Sequence, residues 1–392
     1  MSGNAWSLSL GRAASNDGNA GLDYEWLVTN GLGGYASGSL TGATTRSYHG
    51  LLVAALRPPV ERYVLVTKVD EEIVLSNGQT LRLGVNEYQD GTIDPQGYRY
   101  LSSFDLEGDI PCFTYDLEEH VRLEKRIWME YGENTTYVQY ILRDETSERR
   151  TEPLMLTLFP FCLYRDHHNT TQGRADWRFT VESLGNGCQI RAYEGAQPYQ
   201  LWLNRNGHFT PNGFWYWHVH HRRDRERGLP CVEDVYQPGT LRVPLMPGSR
   251  VTLVISAQSQ LDHAIGGIQH EEHAAQALRR HQRRIKQLLD IADRTTPNLA
   301  KRDPVHARLV IAADQFIVVR PQQDESKAAK TKVRLSPDSK TIIAGYPWFT
   351  DWGRDSMVSL PGLLLHTGRY SEARGLLRAF ASYVHEGIIP NR

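Results

Sequence analysis

The chain contains 392 residues, 40% of them hydrophobic, which is enough for two or three globular domains with sizeable cores. Its 44 lysine and arginine residues nearly balance its 45 aspartate and glutamate residues, leaving a formal net charge of -1. A chain with so little net charge has no global field that attracts nucleic acid or an anionic membrane. We therefore expect a neutral partner, and we expect binding to neither nucleic acid nor a membrane.

Targeting and metal-binding signals are missing from the sequence. The opening MSGNAWSLSLGRAASNDG lacks the basic start and apolar core of a signal peptide, and no window approaches the length of a transmembrane helix, which predicts a cytoplasmic protein. Cys112, Cys162, Cys188 and Cys231 are far apart and form no C-x-x-C motif. This pattern indicates reduced structural thiols rather than disulfides or a zinc site, and we expect no metal and no cofactor.

The first two thirds of the chain has the pattern of strands. From about residue 22 to residue 258, runs such as RYVLVTKVDEEIVL, TTYVQYILR and RVTLVISA alternate with clusters of Gly, Pro, Asn and Asp. We predict a large antiparallel β-sandwich as the N-terminal domain, residues 1–260. The 19 tyrosines and 9 tryptophans leave two uses open: they fill the core of this sandwich, or their faces stack on sugar rings.

Near residue 265 the hydrophobic period changes from that of a strand to that of a helix. HEEHAAQALRRHQRRIKQLLDIAD predicts an amphipathic linker helix within residues 261–300. Its basic stretch, residues 279–286, has no aromatic or glycine companions, which favours a solvated face over a nucleic-acid site. The apolar stripe consists of Ala274, Ala277, Leu278, Ile285, Leu288 and Leu289.

Three further helices are predicted in residues 301–392. The first begins with Asp303 as N-cap and Pro304 in its first turn, and continues to residue 319; a polar loop over residues 320–340 follows it. The second covers residues 356–368, and the third runs from Ser371 to about Glu386, with Gly387 as its stop signal. The apolar stripe of the third helix needs further helices to cover it, so we interpret this region as the start of an incomplete helical domain, poorly packed in a truncated chain. That stripe consists of Leu376, Leu377, Phe380, Tyr383 and Val384.

Three short motifs carry weak functional signals. GLGGYA, residues 31–36, satisfies the dinucleotide fingerprint, but no helical pattern follows it, which favours a glycine-rich strand or turn. HVHH, residues 218–221, has the residue types of a metal site without a fourth ligand at a suitable spacing. YRDHH, residues 164–168, fits either a capped turn or a polar contribution to a cleft, and we favour the turn.

The segment PWFTDWGRDS, residues 347–356, is a stronger candidate for a site. Two indoles offer a platform for a ring, and two carboxylates with a guanidinium between them can bind neighbouring hydroxyl groups in pairs. An alternative is that Asp355 caps a helix beginning at Ser356 while Arg354 pairs with Asp351, although capping does not account for the tryptophans. We predict a binding site for a neutral sugar at Trp348, Asp351, Trp352, Arg354 and Asp355.

Three stretches also carry a family resemblance. They are EWLVTNGLGGYASGSLTGATTRSYHGLLVAAL (residues 25–56), RGLPCVEDVYQPG (227–239) and AGYPWFTDWGRDSMVSLPGLLLHTGRY (344–370), with GIIPNR at the end of the chain. Together they resemble the bacterial and archaeal glycogen debranching enzymes of the amylo-alpha-1,6-glucosidase type. The resemblance implies a β-sandwich followed by an (α/α)6 barrel of the six-hairpin glycosidases, and inverting hydrolysis of the α-1,6-linked glucose at branch points of glycogen or a related α-glucan.

The resemblance also implies roles for single residues. Trp352, Arg354 and Asp355 match a motif that grips the hydroxyls of the glucose whose bond is cut, and Trp348 and Asp351 are expected to border the same pocket. An inverting glycosidase holds its general acid and general base about 6.5–9.5 Å apart. The family places that pair beyond residue 392, so we assign no catalytic residue and expect weak or no hydrolysis by this chain.

Other functional classes remain open. One is a non-catalytic α-glucan-binding module that uses aromatic residues of the sandwich, in which case residues 1–260 alone bind the glucan. Another is a related glucoamylase-like (α/α)6 enzyme or a disaccharide phosphorylase, but a phosphorylase needs a basic phosphate pocket, and only Arg354 suggests one. The eukaryotic type adds a glucanotransferase domain ahead of this unit; we see no such domain and expect no transferase activity. The sequence leaves the oligomeric state open.

Overall fold

A computed structural model describes residues 8–11, 20–145, 152–205, 207–258, 269–297, 303–320, 340–389 and 391, and it consists mostly of antiparallel sheets with few helices. In chain order the strands are β1 (Leu8–Gly11), β2 (Glu25–Thr29), β3 (Tyr35–Ser39), β4 (Gly50–Arg57), β5 (Val60–Val74), β6 (Thr80–Arg82), β7 (Val85–Glu87), β8 (Ile93–Gln96), β9 (Leu101–Glu107), β10 (Ile110–Glu118), β11 (Val121–Met129), β12 (Thr135–Asp144), β13 (Leu154–Asp166), β14 (Thr180–Ser183), β15 (Gly187–Arg191), β16 (Tyr199–Leu203), β17 (His208–His220), β18 (Val232–Leu245), β19 (Arg250–Ser256), β20 (Ile317–Val319) and β21 (Lys340–Ile342). The helices are α1 (Ala20–Asp23), α2 (Arg222–Glu226), α3 (Gln269–Thr295), α4 (Pro304–Gln315), α5 (Gly353–Leu360) and α6 (Tyr370–Ala381), with a 3-10 turn at Gly97–Tyr100 and a π-helical turn at Pro361–Leu365.

Two large antiparallel sheets make up most of the molecule. One has nine strands in the order β1-β9-β10-β11-β12-β19-β16-β15-β14; the other has eight, in the order β17-β18-β13-β5-β4-β3-β2, with β6 added to β5. Apolar side chains of both sheets form one core, in which Leu52 and Val66 of the second sheet join Leu123 and Tyr140 of the first. We call this pair of packed sheets the β-sandwich. The predicted antiparallel β architecture is confirmed, whereas the limits of the predicted domains stay a prediction.

Helix α3 joins the β-sandwich to the C-terminal helices, as its amphipathic pattern predicted. Near its start, Ala274 and Ala277 pack against the sandwich, and further along Ile285 and Leu289 pack against α4. The prediction of a solvated basic face is wrong for Arg284. Its guanidinium donates to the carboxylate of Asp314 in α4 at 2.6 and 2.7 Å. Among the described helices, none combines the length and the hydrophobicity that crossing a bilayer requires.

The start of α4 is as predicted, but its end is not. The Asp303 carboxylate accepts a hydrogen bond from the Val305 amide at 2.8 Å, and Pro304 is the first helical residue. The helix ends at Gln315 rather than at residue 319, because Ile317–Val319 forms strand β20 and pairs with Lys340–Ile342. β-branched residues favour a strand once a partner is available, and this partner lies too far along the chain for periodicity to reveal it. Most of the predicted loop, residues 321–339, lies outside the described residues.

The N-cap of α4 provides a stability test. Asp303→Ala should lower the free energy of unfolding by about 1 kcal/mol, because it removes the acceptor for one of the first amides of the helix. Asp303→Asn keeps an acceptor and should change stability by only a few tenths of a kcal/mol. Urea unfolding followed by circular dichroism measures both; equal losses in the two variants would contradict the capping role.

The last helices also depart from prediction at their ends. Helix α5 begins at Gly353, three residues before the predicted start, and gives way to the π-helical turn at Pro361, whose missing amide interrupts the hydrogen-bond ladder. Helix α6 ends at Ala381, well short of Glu386. Gly387, with φ of +80°, does not stop that helix; with Glu386 it forms the turn of a short hairpin.

The predicted apolar stripe of α6 is divided in the structure. Leu376 and Phe380 are buried against β20, β21 and the π-helical turn. Leu377, Tyr383 and Val384 are exposed. The sequence predicted a stripe that nothing covers; in the structure two of its residues are covered and three are not.

Candidate functional site

The segment from Tyr346 to Thr350 lies against the β-sandwich. It is held by Arg62, a buried residue of β5, which donates to the carbonyl oxygens of Pro347 and Phe349 at 3.0 and 2.9 Å. The Tyr346 ring packs edge-on against Tyr35 of β3, with ring centres 5.5 Å apart. A buried guanidinium that binds two backbone carbonyls fixes the path of the segment that carries the candidate site.

Trp348 is where the three stretches with the family resemblance meet. The guanidinium of Arg227 lies 4.6 Å from the centre of its ring and that of Arg46 5.4 Å away, while Tyr48 packs edge-on at 6.3 Å. Arginines this close to an indole attract its electron-rich face. The indole N–H is buried and has no hydrogen-bond partner within the described part of the chain.

Asp351 is paired, although not with the partner considered from the sequence. Its carboxylate accepts hydrogen bonds from Arg320 and from the hydroxyl of Thr341, the latter at 3.1 Å. Arg354 does not pair with it. Asp351 is largely buried, so this pairing holds its carboxylate in a fixed position.

Trp352, rather than Asp355, is the N-cap residue of α5, so the capping explanation of Asp355 is wrong. Asp355 lies in the first turn of the helix, where the macrodipole favours a carboxylate. The side chains of Arg354 and Asp355 are exposed, and neither has a hydrogen bond or ion pair with any residue that the structure describes. Asn391 accepts hydrogen bonds from the backbone amides of Gly353 and Arg354 at 2.9 and 2.7 Å.

A cleft of about 470 Å³ opens beside this segment, between the β-sandwich and the C-terminal helices. Asp351 is the only one of the five predicted site residues that lines it, but Asn391, which binds the start of α5, lines it as well. A volume of this size is within the range of about 300–1,000 Å³ that is typical of small-molecule sites. The full lining is Val60, Glu61, Arg62, Asp166, His167, His168, Arg320, Thr350, Asp351, Phe380, Tyr383 and Asn391.

The YRDHH motif forms a capped turn and also lines the cleft. The Asp166 carboxylate accepts from the His168 amide at 2.8 Å, which is the predicted turn, yet Asp166, His167 and His168 all face the cleft. Burial, followed by the charges of His168 and Arg62, lowers the pKa of His167 to about 3, so its imidazole is neutral at ordinary pH. The turn and the cleft are alternatives from the sequence alone, and the structure contains both.

A buried ionic network holds the loop that carries Tyr48. Arg165 donates to Glu233 at 2.8 Å and to the carbonyl of Ser47 at 2.6 Å. His221 lies 3.1 Å from the Glu233 carboxylate and donates to the carbonyl of Thr44 at 2.8 Å. Burial alone would raise the pKa of Glu233, but Arg165 and His221 outweigh it and lower the pKa to about 2. The buried charges of the sandwich thus fix the position of one loop beside Trp348.

The outer side of the same loop is tied to strand β2. Glu25 accepts hydrogen bonds from Arg46 at 2.6 Å and lies 3.2 Å from His49. Tyr48, between these two residues, places its hydroxyl 3.0 Å from Nδ1 of His168. The loop therefore connects Trp348 to the histidines of the cleft.

The remaining motifs form no site. Gly31 and Gly33 have positive φ, and a side chain at Gly33 would meet the Pro59 carbonyl oxygen at 2.6 Å. A dinucleotide site needs a helix directly after these glycines to bind the pyrophosphate. Strand β3 follows them instead, so the motif is not a dinucleotide-binding fingerprint. In HVHH, His218 is exposed, whereas His220 and His221 face Glu87 and Glu233 separately.

Within the described residues, the donors that come closest to a metal site are Asp166, His167 and His168, whose ligand atoms lie within 4.8 Å of one another. Arg62 faces the same place, since its charge helps to lower the pKa of His167. A fixed guanidinium beside these donors opposes the binding of a cation. The group fits a metal ion poorly.

Comparison with known families defines the class of this protein. A family model described as "Glycogen debranching enzyme N terminal" matches residues 24–252, and one described as "Amylo-alpha-1,6-glucosidase" matches residues 311–392. The first match covers more than half of the chain. The chain belongs to the glycogen debranching enzyme family, which confirms the resemblance seen in the sequence.

Single relatives are more distant. The glycogen debranching enzyme of Saccharomyces cerevisiae is 38% identical over 71 residues, a match that covers 17% of this chain and 5% of the yeast protein. A bacterial glucoamylase crystallised with acarbose is 10% identical, with a TM-score of 0.42, and the superposition covers 96% of this chain and 50% of the glucoamylase. This chain thus spans at most half of the length of these two proteins. A structural likeness at that score defines neither the fold nor the function of this chain.

Proposed function

We propose that this chain acts in the hydrolysis of α-1,6-linked glucose at branch points of glycogen or a related α-glucan, with Trp348, Asp351, Trp352, Arg354 and Asp355 binding the glucose unit whose bond is cut. Membership of a debranching-enzyme family supports glucan hydrolysis in general. The substrate, the inverting mechanism, the cytoplasmic location and a role in glycogen catabolism are the finer parts of the proposal.

One observation carries the assignment of the binding residues. Arg354 and Asp355 present exposed side chains without a partner in the described structure, side by side at the start of α5. A cation and an anion whose side chains have no hydrogen bond or ion pair within the described residues are available to donate to and accept from neighbouring sugar hydroxyls. Trp352, half-buried at the N-cap, contributes an apolar ring face next to them.

The other two residues act in support of these three. Asp351 is fixed by Arg320 and Thr341 at the edge of the cleft, and Trp348 is fixed by the arginines of the sandwich. In this proposal α4, α5 and α6 are the first helices of an (α/α)6 barrel. We assign no general acid or base; an inverting glycosidase needs two carboxyl groups that hold the attacking water between them.

Binding of isomaltose, two glucose units joined by an α-1,6 bond, tests the proposal. Asp355→Asn should weaken binding to this chain about 10- to 100-fold, because a hydrogen bond to a charged group contributes about 1.5–3 kcal/mol. Isothermal titration calorimetry of the wild type and the variant measures the change.

The control is Asp176→Asn, at an exposed aspartate of the N-terminal domain that forms an ion pair with the exposed Arg174. Its affinity for isomaltose should equal that of the wild type. An Asp355→Asn protein with unchanged affinity would remove Asp355 from the site.

A second function is favoured by a different surface. Phe214 and Trp217 are exposed on the edge strand β17, where aromatic rings are free to stack on a glucan chain. A non-catalytic α-glucan-binding module would use them. Trp217→Ala would then abolish binding of a branched glucan, while Trp352→Ala would leave it unchanged.

A further inference from the structure

We propose that the β-sandwich supplies a second sugar subsite, in which the imidazole of His167 binds a hydroxyl of the neighbouring glucosyl unit inside the cleft. This inference rests on the proposed function, since it assigns the unit next to the glucose that Trp352, Arg354 and Asp355 bind. The subsite is formed by His167, His168 and Asp166 on one wall and by Asp351 and Tyr383 on the other.

His167 is the residue that points to a ligand. It lines the cleft, and its side chain is only 4% exposed. Neither ring nitrogen makes a hydrogen bond within the described structure, and the nearest carboxylate oxygen, of Asp166, lies 3.6 Å from Nδ1. The carbonyl groups of Arg62 and Pro347 lie near enough to favour its protonated form, yet burial and the positive charges around it keep the ring neutral. Buried polar atoms normally have partners, so an imidazole left without one at the wall of a cleft requires an explanation.

A neutral imidazole is suited to a hydroxyl group. One of its ring nitrogens donates and the other accepts, and a hydroxyl can do either. An anionic ligand would find no proton-bearing cation at His167, and a metal ion would face the charge of Arg62. A sugar carries no charge and provides several hydroxyls at once.

The charged side chains of the cleft already have hydrogen-bond or ion-pair partners, which also favours a neutral ligand. Arg320 is paired with Asp351, and Glu61 is paired with Arg57 at 3.0 Å. Arg62 donates to two backbone carbonyls, and Asp166 accepts from a backbone amide. Each of these charged side chains in the described lining therefore already has a protein partner. An ionic ligand would have to displace that partner in order to bind.

The opposite wall offers an aromatic platform. Tyr383 lines the cleft with 41% of its surface exposed, and the guanidinium of Arg320 lies 5.0 Å from its ring centre. An exposed ring held in place by a paired arginine can stack on the apolar face of a sugar. On the sandwich side His168 is held by the hydroxyl of Tyr48 at 3.0 Å. Both walls are thus fixed before any ligand binds.

Two ligands separate this subsite from the first one. Glucose fills only the site at Trp352, Arg354 and Asp355, whereas isomaltose extends into the cleft. His167→Phe keeps a ring but removes both nitrogens, and it should weaken isomaltose binding about tenfold while leaving glucose binding unchanged. His167→Gln keeps a donor and an acceptor and should retain most of the affinity. The control is His208→Phe, an exposed position on β17 outside the cleft.

The outcomes distinguish the two proposals. If Asp355→Asn weakens both ligands but His167→Phe weakens neither, the second subsite is wrong and the proposed function stands. If Asp355→Asn weakens neither ligand, the proposed function loses its site, whatever His167 does. A metal site would also overturn the His167 inference. In that case Zn²⁺ would bind the wild type with one-to-one stoichiometry and would not bind His167→Phe, while the two proteins would have the same affinity for isomaltose.

Discussion

Glu233→Ala should lower the free energy of unfolding by about 3–5 kcal/mol, one of the two largest effects that we expect in this protein. The substitution removes the carboxylate that Arg165 and His221 share in the interior of the sandwich. Arg165 would then be a buried charge without a counter-ion, although it would still donate to the carbonyl of Ser47. Chemical unfolding of the wild type and the variant at neutral pH measures the loss.

The same carboxylate predicts a pH dependence. Its pKa falls from an ordinary 4.5 to about 2 in the folded protein, so its contribution to stability is fully present above pH 4.5. The contribution is lost as the pH falls from 4.5 towards 2, and the difference between wild type and Glu233→Ala should narrow over that window. Glu119→Ala is the control, because Glu119 is exposed and its pair with His120 should contribute at most about 1 kcal/mol. A loss at Glu233 no larger than that at Glu119 would contradict the role of the network.

Asp314→Ala should also cost about 3–5 kcal/mol, in this case among the helices. Asp314 of α4 accepts from Arg284 of α3 at 2.6 and 2.7 Å and from Arg369, just before α6, at 2.5 Å. Burial opposes its ionised form, but the two guanidinium groups outweigh burial and lower the pKa to about 2. Removal of the carboxylate leaves Arg284 without this counter-ion and close to Arg369, although Arg369 keeps its pair with Glu372.

Hydrogen exchange shows where that effect falls. Protection should decrease in α3, α4 and α6 and remain in the strands of the sandwich, because Asp314 connects only the helical elements. Asp290→Ala, at an exposed position of α3, is the matched control and should change neither stability nor protection. Equal protection of the helices in wild type and Asp314→Ala would show that the three elements are held together by their apolar contacts alone.

Much of the fold could be predicted because its signals are local. Alternating strands between turn residues gave the antiparallel sheets, and Asp303 with Pro304 marked the start of α4 within a few residues of sequence. The end of α4 could not be predicted in this way. Ile317–Val319 continues the apolar pattern of the helix, and only its pairing with Lys340–Ile342 makes it a strand.

The candidate site was only partly predictable for the same reason. The residue types of PWFTDWGRDS indicated sugar chemistry, but the partners of Asp351 and Trp348 come from other segments of the chain. Arg227 is more than a hundred positions away from Trp348, and no pattern in one sequence reveals such a contact. For the motif that contains His167, the sequence left both a capped turn and a cleft open, and it favoured the turn because the turn explained the motif locally.

A crystal structure of this chain with isomaltose bound is the measurement that tests the site most directly. We expect one glucose ring against Trp352, with its hydroxyls within hydrogen-bond distance of Arg354 and Asp355, and the second ring in the cleft beside His167. Sugar density only on the aromatic edge strand around Trp217, with the surface at the start of α5 empty at saturating isomaltose, would contradict the account.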